Sequence, residues 1–276
     1  MFRHALCTAL LVSVACSDSS AKTSDDTVTQ PTAVAATAAP APAPAATATA
    51  AAAAAAAPAK AAGKAVTGKI TFEGTPPERA VVDVKQDPVC VGLHANDPLL
   101  TPGGIVCAAT GGLKDCFVQL TGVPDKKYET PTEPVTIDQI GCTYVPHVFG
   151  IMKKQPLAIE NSDATLHNIH AMPKTNREFN LGMPNKGDVN KDQEFKKAEE
   201  AIHIKCDVHP WMSAYCFCME HPFFAVTGAD GSFSISLGDL PDGEYGIKVW
   251  HETLGEATGK VTVKDGAASF DHVFKK

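Results

Sequence analysis

The chain has 276 residues, with 24 Lys and Arg against 31 Asp and Glu and a formal net charge of −7. No run of basic residues stands out, which argues against a nucleic-acid partner. Outside one Ala/Pro-rich tract no apolar stretch approaches the roughly 18 residues of a membrane span, so a polytopic membrane protein is excluded. Nine cysteines are too many for an ordinary reduced cytosolic protein and point to an oxidising compartment, to metal, or to both.

The N-terminal segment has a short basic start at Arg3 and His4, an apolar run and small residues before Cys16. This pattern predicts a secretory signal over residues 1–15. Ending at a cysteine, it resembles a bacterial lipoprotein signal, although Ser13 stands where that family usually carries Leu. The resemblance implies lipidation at Cys16, export, and a membrane-anchored protein facing the periplasm or cell surface. Ordinary signal cleavage with Cys16 free is the alternative. Residues 16–64 are mostly Ala, Thr, Pro and Ser, with almost no large apolar side chain to offset the entropy of ordering. They are expected to form a disordered tether, and the run Ala50 to Ala57 is too short to persist as an isolated helix.

Beyond Val66 the sequence predicts an all-β protein: short β-branched runs, frequent Gly and Pro, and no long 3.6-residue stripe. Strands are expected at Val66–Phe72, Cys116–Leu120, Ser232–Ser236, Glu244–Trp250 and Lys260–Val263, with turns at Ala229-Asp230-Gly231 and Pro241-Asp242-Gly243. The segments Gly68 to Gly74 and Asp230 to Tyr245 resemble the carboxypeptidase regulatory-like (transthyretin-like) β-sandwich. That resemblance implies a sandwich split between residues 65–134 and 223–276, with residues 135–222 inserted as a unit of their own.

The insertion holds Cys206-Asp207-Val208-His209-Pro210-Trp211-Met212. A thiolate, an imidazole and a thioether at C-x2-H-x2-M suit copper better than zinc, because soft sulfur favours Cu(I) and imidazole accommodates Cu(II). In the preceding strand Ile202, Ile204 and Cys206 share one face by the period of two, so the cysteine points into the core. Pro210 stiffens the loop that follows. Upstream lie Tyr144-Val145-Pro146, Gln155 to Asn161, and Asn161-x5-His167-Asn168.

These two halves, in this order, resemble the cupredoxin family. The Asn161–His167 spacing is similar to that of plastocyanins and the ligand loop to that of amicyanins. The resemblance implies a Greek-key β-barrel or sandwich holding one copper ion. His167, Cys206 and His209 would be its ligands, Met212 a weak axial donor, and Asn168 the residue that ties the two ligand loops together. His170 is the second choice for the upstream imidazole. It should lie on the opposite strand face from His167, so only one of the two is expected to reach the metal. His203 is expected to face solvent, and His147, His221 and His251 to be buried and hydrogen-bonded. A second metal site from His147, His170 and His221 is the alternative for three of these.

With Cys7 in the leader, Cys16 lipidated and Cys206 on metal, an even six remain: Cys90, Cys107, Cys116, Cys142, Cys216 and Cys218. They allow many pairings. Cys90 with Cys142 is favoured, leaving the other four to pair among themselves, Cys216 and Cys218 with different partners. The expected function is a one-electron carrier and not an enzyme. Multicopper oxidases and copper nitrite reductases need a second copper site with repeated His-x-His pairs, and the sequence has none. An unidentified redox partner and a monomeric state are expected, with the membrane touched only through the lipid. Trp211 is either part of a docking surface or a packing residue. The alternatives are a copper storage protein using the same residues and a metal-free surface-attachment module.

Overall fold

The computed structural model describes residues 63–76, 78–103 and 110–275. The expected signal peptide, the expected lipidation site Cys16, most of the expected tether and Cys107 lie outside the described residues. No helix among the described residues is long and apolar enough to cross a membrane.

The fold is all-β apart from one short helix. β1 (Ala65–Glu73) leads to α1 (Pro88–Leu93) and β2 (Phe117–Thr121). Then come β3 (Val135–Gln139), β4 (Tyr144–Val145), β5 (Val148–Met152), β6 (Leu157–Asn161), β7 (His167–Met172), β8 (Phe179–Met183), β9 (Val189–Gln193), β10 (Glu199–Lys205) and β11 (Ser213–Met219). The chain closes with β12 (Phe224–Val226), β13 (Ser232–Ser236), β14 (Gly243–His251), β15 (Gly255–Val263), β16 (Ala267–Ser269) and β17 (His272–Lys275). The expected strands are present, several of them longer by a residue or more at their ends. The helix is new: Asp87 caps it by accepting from the Val89 and Cys90 amides, and Pro88 fits its first turn, where no amide donor is needed.

Strands from the two ends of the chain build one pair of sheets. β1 pairs with β13, β16 and β17, and the facing sheet runs β12-β2-β14-β15. Between them Val66, Ile70, Leu113, Val118, Leu120, Ile235, Ile247 and Val249 are buried. The strands from β3 to β11 pair only among themselves, in sheets ordered β5-β11-β10-β7-β8 and β4-β3-β6-β9. Their core holds Ile137, Tyr144, Ile151, Leu157, Ile159, Ile169, Ile202 and Ile204. Residues alternating at the period of two supply the inward faces, as in β10, where Ile202 and Ile204 are buried between half-exposed neighbours.

The two sandwiches meet through aromatic rings. Phe117 stacks on Phe217 at 3.9 Å between centroids, and Trp250 packs against Phe217 and Tyr215. His147 Nε2 lies 2.9 Å from Glu252 across the same junction.

Only one disulfide occurs among the described residues, the expected Cys90–Cys142. The expectation that Cys116, Cys216 and Cys218 are bridged is overturned, because all three are free and buried. Cys116 sits in one core and Cys216 and Cys218 in the other. As alternate residues of β11, the latter two face Ile202, Phe149 and Ile151 in the neighbouring strands rather than cysteine. Burial pushes the thiols of Cys116 and Cys218 up to about 12, against a lesser pull down from Thr227 at Cys116, so they behave as small apolar side chains.

Candidate metal centre

β7 and β10 run antiparallel, with Lys205 opposite His170 and Ile204 opposite Ala171. This register returns the segment after β10 over the start of β7, where His167 lies. The loop closes on itself: the Cys206 amide donates to the Met212 carbonyl (3.3 Å), the Met212 amide to the His209 carbonyl (2.9 Å), and the His209 amide to Cys206 Sγ (3.3 Å).

Asn168 joins the two segments. Its Oδ1 accepts from the Asp207 amide at 2.7 Å and the Val208 amide at 3.3 Å, and lies 3.2 Å from Cys206 Sγ. Its Nδ2 donates to Asn180 Oδ1 at 2.6 Å. Asn161 holds the preceding turn by donating to the Thr165 and Met183 carbonyls.

One potential ligand atom from each of His167, Cys206 and His209 lies within 4.8 Å of the others, and all three residues are buried. His167 Nδ1 is 2.8 Å from His209 Nδ1, which is 4.0 Å from Cys206 Sγ. The opposite ring nitrogens meet carboxylates: His167 Nε2 is 3.0 Å from Asp163 and His209 Nε2 is 3.2 Å from Asp87. Each carboxylate favours a proton on Nε2 and leaves the Nδ1 lone pair facing inward. Two such lone pairs at 2.8 Å repel one another unless a proton or a cation stands with them. A sulfur and two nitrogens converging in this way fit a soft or borderline transition metal. Met212 is fully buried in the same core cluster as Cys206.

In the metal-free site the thiol and the neighbouring imidazole shift in opposite directions as a thiolate–imidazolium pair, and a metal ion would have to displace the proton they hold. Burial pushes the Cys206 thiol up, but hydrogen bonds with His167 and His209 outweigh it and bring the thiol down to about 6, so the thiolate, which is the ligand form, dominates at neutral pH. Burial pushes His167 down, yet Asp163 and the adjacent sulfur hold it above the ordinary imidazole range. Burial likewise raises the Asp163 carboxyl less than His167 and the Cys142 and Gly141 amides lower it.

His170 lies elsewhere. Its Nδ1 is 2.9 Å from Asp207 Oδ2 and its Nε2 is 2.7 Å from Glu178 Oε1, on the strand face opposite His167. His147 and His251 are buried as expected, the first bonding the Ser213 carbonyl and Glu252 and the second accepting from the Thr253 amide, whereas His221, which accepts from the Phe223 amide, is only half-buried against the Phe223 ring. His203 is half-buried against Tyr215 rather than solvent-facing, because the neighbouring strand places that ring beside it. No cluster of potential ligand atoms among the described residues includes His147, His170 or His221. Trp211 packs 5.0 Å from the His209 ring, and its Nε1 donates to the Cys142 carbonyl at 3.0 Å.

Two carboxylates escaped the sequence reading. Asp163 lies four residues before His167, within the loop that carries it, and that spacing was the available signal. Asp87 lies 122 residues before His209. Its sequence signal, an Asp before Pro, marks a helix cap and says nothing about a distant imidazole.

No family model matches the sequence, and no curated protein matches it. Solved structures with similarity to part of the chain include a copper-containing nitrite reductase from Thermus scotoductus SA-01, at 21% identity and a TM-score of 0.28, covering 37% of this chain and 25% of the reductase. A purple cupredoxin from Nitrosopumilus maritimus is 20% identical at a TM-score of 0.26, covering 30% of this chain and 98% of its own. A methionine-to-alanine mutant of amicyanin in its Cu(I) form is 17% identical at a TM-score of 0.28, covering 37% of this chain and 98% of its own. The chain thus spans a quarter of the reductase and nearly all of the two smaller proteins. These likenesses are low, and the case for a metal rests on the side chains.

Proposed function

We propose that the protein is an exported type 1 copper protein acting as a one-electron carrier. It would hold a single ion through His167, Cys206 and His209, with Met212 as a weak further donor. The observation that carries this reading is the convergence of one thiolate and two imidazoles within 4.8 Å in a buried site. Copper held there supplies one electron at a time by passing between Cu(I) and Cu(II).

The chain's own residues prepare the site for that exchange. Asn168 fixes the ligand loop to β7, so Cys206 and His167 keep their spacing. Asp163 and Asp87 orient the two imidazoles, and burial of all three donors excludes water. A rigid, dry cage costs little rearrangement when charge changes by one. This chemistry needs a carrier scaffold and no substrate cleft. Lipidation at Cys16, a periplasmic or surface location, a separate redox partner, a monomeric state and a carboxypeptidase regulatory-like outer sandwich belong to the same proposal.

Cu(II) added to the metal-free protein tests it by visible absorption and electron-spin resonance. An intense thiolate-to-copper band that bleaches reversibly on one-electron reduction is the expected result. Tight Cu(I) binding with no coloured Cu(II) form would instead make the protein a store, and an unchanged spectrum would leave a metal-free module. Radiolabelled palmitate incorporation, lost in Cys16→Ala, tests the anchor.

A further inference from the structure

The segment 87–94 precedes the nine central strands, yet it closes over the metal centre. Asp87 Oδ2 accepts from His209 Nε2 at 3.2 Å and from Thr165 Oγ1 at 2.5 Å, while its Oδ1 caps α1. Three residues on, Cys90 is bonded to Cys142, and its Sγ lies 4.0 Å from His209 Nε2. His94 Nε2 is 2.9 Å from the Gly141 carbonyl, which pins the far end of the helix.

The receiving surface is equally fixed. Gly141 (φ 64°) and Cys142 (φ 53°) form the two-residue turn between β3 and β4, a conformation that hairpin turns of this kind require. Asp163 holds that turn by accepting from both amides, at 2.9 and 2.7 Å, while it also meets His167. The helix is therefore stapled to the same turn whose anchor orients the other imidazole. His209 is left 1% exposed.

We infer that residues 87–94 are a fixed cover over the metal centre and that Asp87 is the positioning residue for His209. The metal part of this inference rests on the copper reading; the orientation of the His209 ring does not. By accepting from Nε2, Asp87 selects the tautomer whose Nδ1 lone pair faces His167 and Cys206. Its negative charge beside a ligand also stabilises the more positive oxidation state of a bound metal, which lowers the reduction potential. The cover keeps water from the outer edge of His209, so electrons do not leave through an exposed His209 edge.

Asp87→Asn and Asp87→Ala test the positioning role in the full chain. Asn keeps one side-chain oxygen, which can still cap the helix, but removes the charge and turns an NH2 donor toward His209 Nε2, whereas Ala removes both groups. Long-range proton–nitrogen NMR of the metal-free protein reads the tautomer. His209 should carry its proton on Nε2 in the native protein, shift toward the Nδ1-protonated form in Asp87→Asn, where Nε2 meets a donor, and toward a mixture in Asp87→Ala. In the copper-loaded protein both variants should show a raised potential by voltammetry, and Asp87→Ala should lose about 10–100-fold in Cu(II) affinity. Cys90→Ala/Cys142→Ala, which frees the cover but keeps Asp87, should speed solvent exchange of the His209 ring proton.

An unchanged tautomer and an unchanged potential in Asp87→Ala would overturn the positioning role. Unchanged ring-proton exchange in the double variant would overturn the cover. If the native protein forms no thiolate–copper band, the copper reading fails, while the tautomer and exchange measurements still decide the inference.

Discussion

Replacing Asn168 by Ala tests whether one amide side chain holds the ligand loop in place. The native Oδ1 satisfies the Asp207 amide at 2.7 Å and the Val208 amide at 3.3 Å, both part-buried, and also lies against Cys206 Sγ. Truncation leaves those donors without their partner. An unsatisfied buried amide costs about 1–3 kcal/mol, and the longer, part-buried bond belongs near the bottom of that range. The sum is about 2–4 kcal/mol, a large share of a net stability of roughly 5–15 kcal/mol. Urea unfolding of the metal-free protein, followed by far-ultraviolet circular dichroism, measures it directly: the midpoint should fall while the slope stays constant. Asn180→Ala is the control. It removes a part-buried contact to the Asn168 side chain and an exposed one to Asp207 but strands no backbone donor, so it should cost less than about 1 kcal/mol. A loss below about 0.5 kcal/mol in Asn168→Ala, the lower bound for a hydrogen bond that contributes at all, would refute the reasoning, since the loop would then keep its shape without this bond.

Cys206→Ser should abolish any intense visible band, because that transition needs a thiolate. His170→Ala should leave the band nearly intact, since both of its nitrogens are engaged by Asp207 and Glu178; absorption spectra of the two variants side by side decide it. Met212→Leu should retain copper and raise the potential, as a donor that favours Cu(II) is lost; an unchanged voltammogram would mean that the thioether does not contribute. The His147–Glu252 pair, 2.9 Å apart, should give a pH-dependent stability. Burial pushes His147 down, but Glu252 outweighs it and raises the imidazole above 6.5; burial pushes Glu252 up, but His147 outweighs it and lowers the carboxyl below 4.5. The raised histidine stabilises the fold below its unfolded value and loses that contribution as pH rises through its folded value. The lowered glutamate does so above its unfolded value and loses it as pH falls through its folded value. The stability gap between native protein and Glu252→Gln should therefore peak between about pH 4.5 and 6.5 and narrow on both sides. Thermal melts at about pH 5.5 and about pH 9 with equal gaps would contradict this.

Much of the site was readable because its determinants are local. The period of two placed Ile202 and Ile204 of β10 and Cys206, the residue after it, on one face, and the structure buries all three. The same rule put His167 and His170 on opposite faces of β7, and they diverge as it requires. The free thiols show where local reasoning ends. An even count of cysteines suggests bridges, but β11 sets Cys216 beside Ile202 and Phe149 and Cys218 beside Glu199 and Ile151, and only the strand register shows that no second sulfur stands opposite. His203 is similar, since the alternation that turns it from Cys206 cannot reveal the Tyr215 ring that covers it.

From sequence alone came the β-class, the inward face of the strand that leads to Cys206 and the C-x2-H-x2-M loop, all properties of side chains a few residues apart and of backbone geometry that repeats every two. Tertiary structure decided which imidazole faces Cys206, which carboxylates turn the two rings, and that a helix whose cap lies 122 residues upstream of His209 seals one of them. Those outcomes depend on pairings between distant segments, and such pairings are selected by the burial and hydrogen bonding of the whole chain rather than by any short stretch of it.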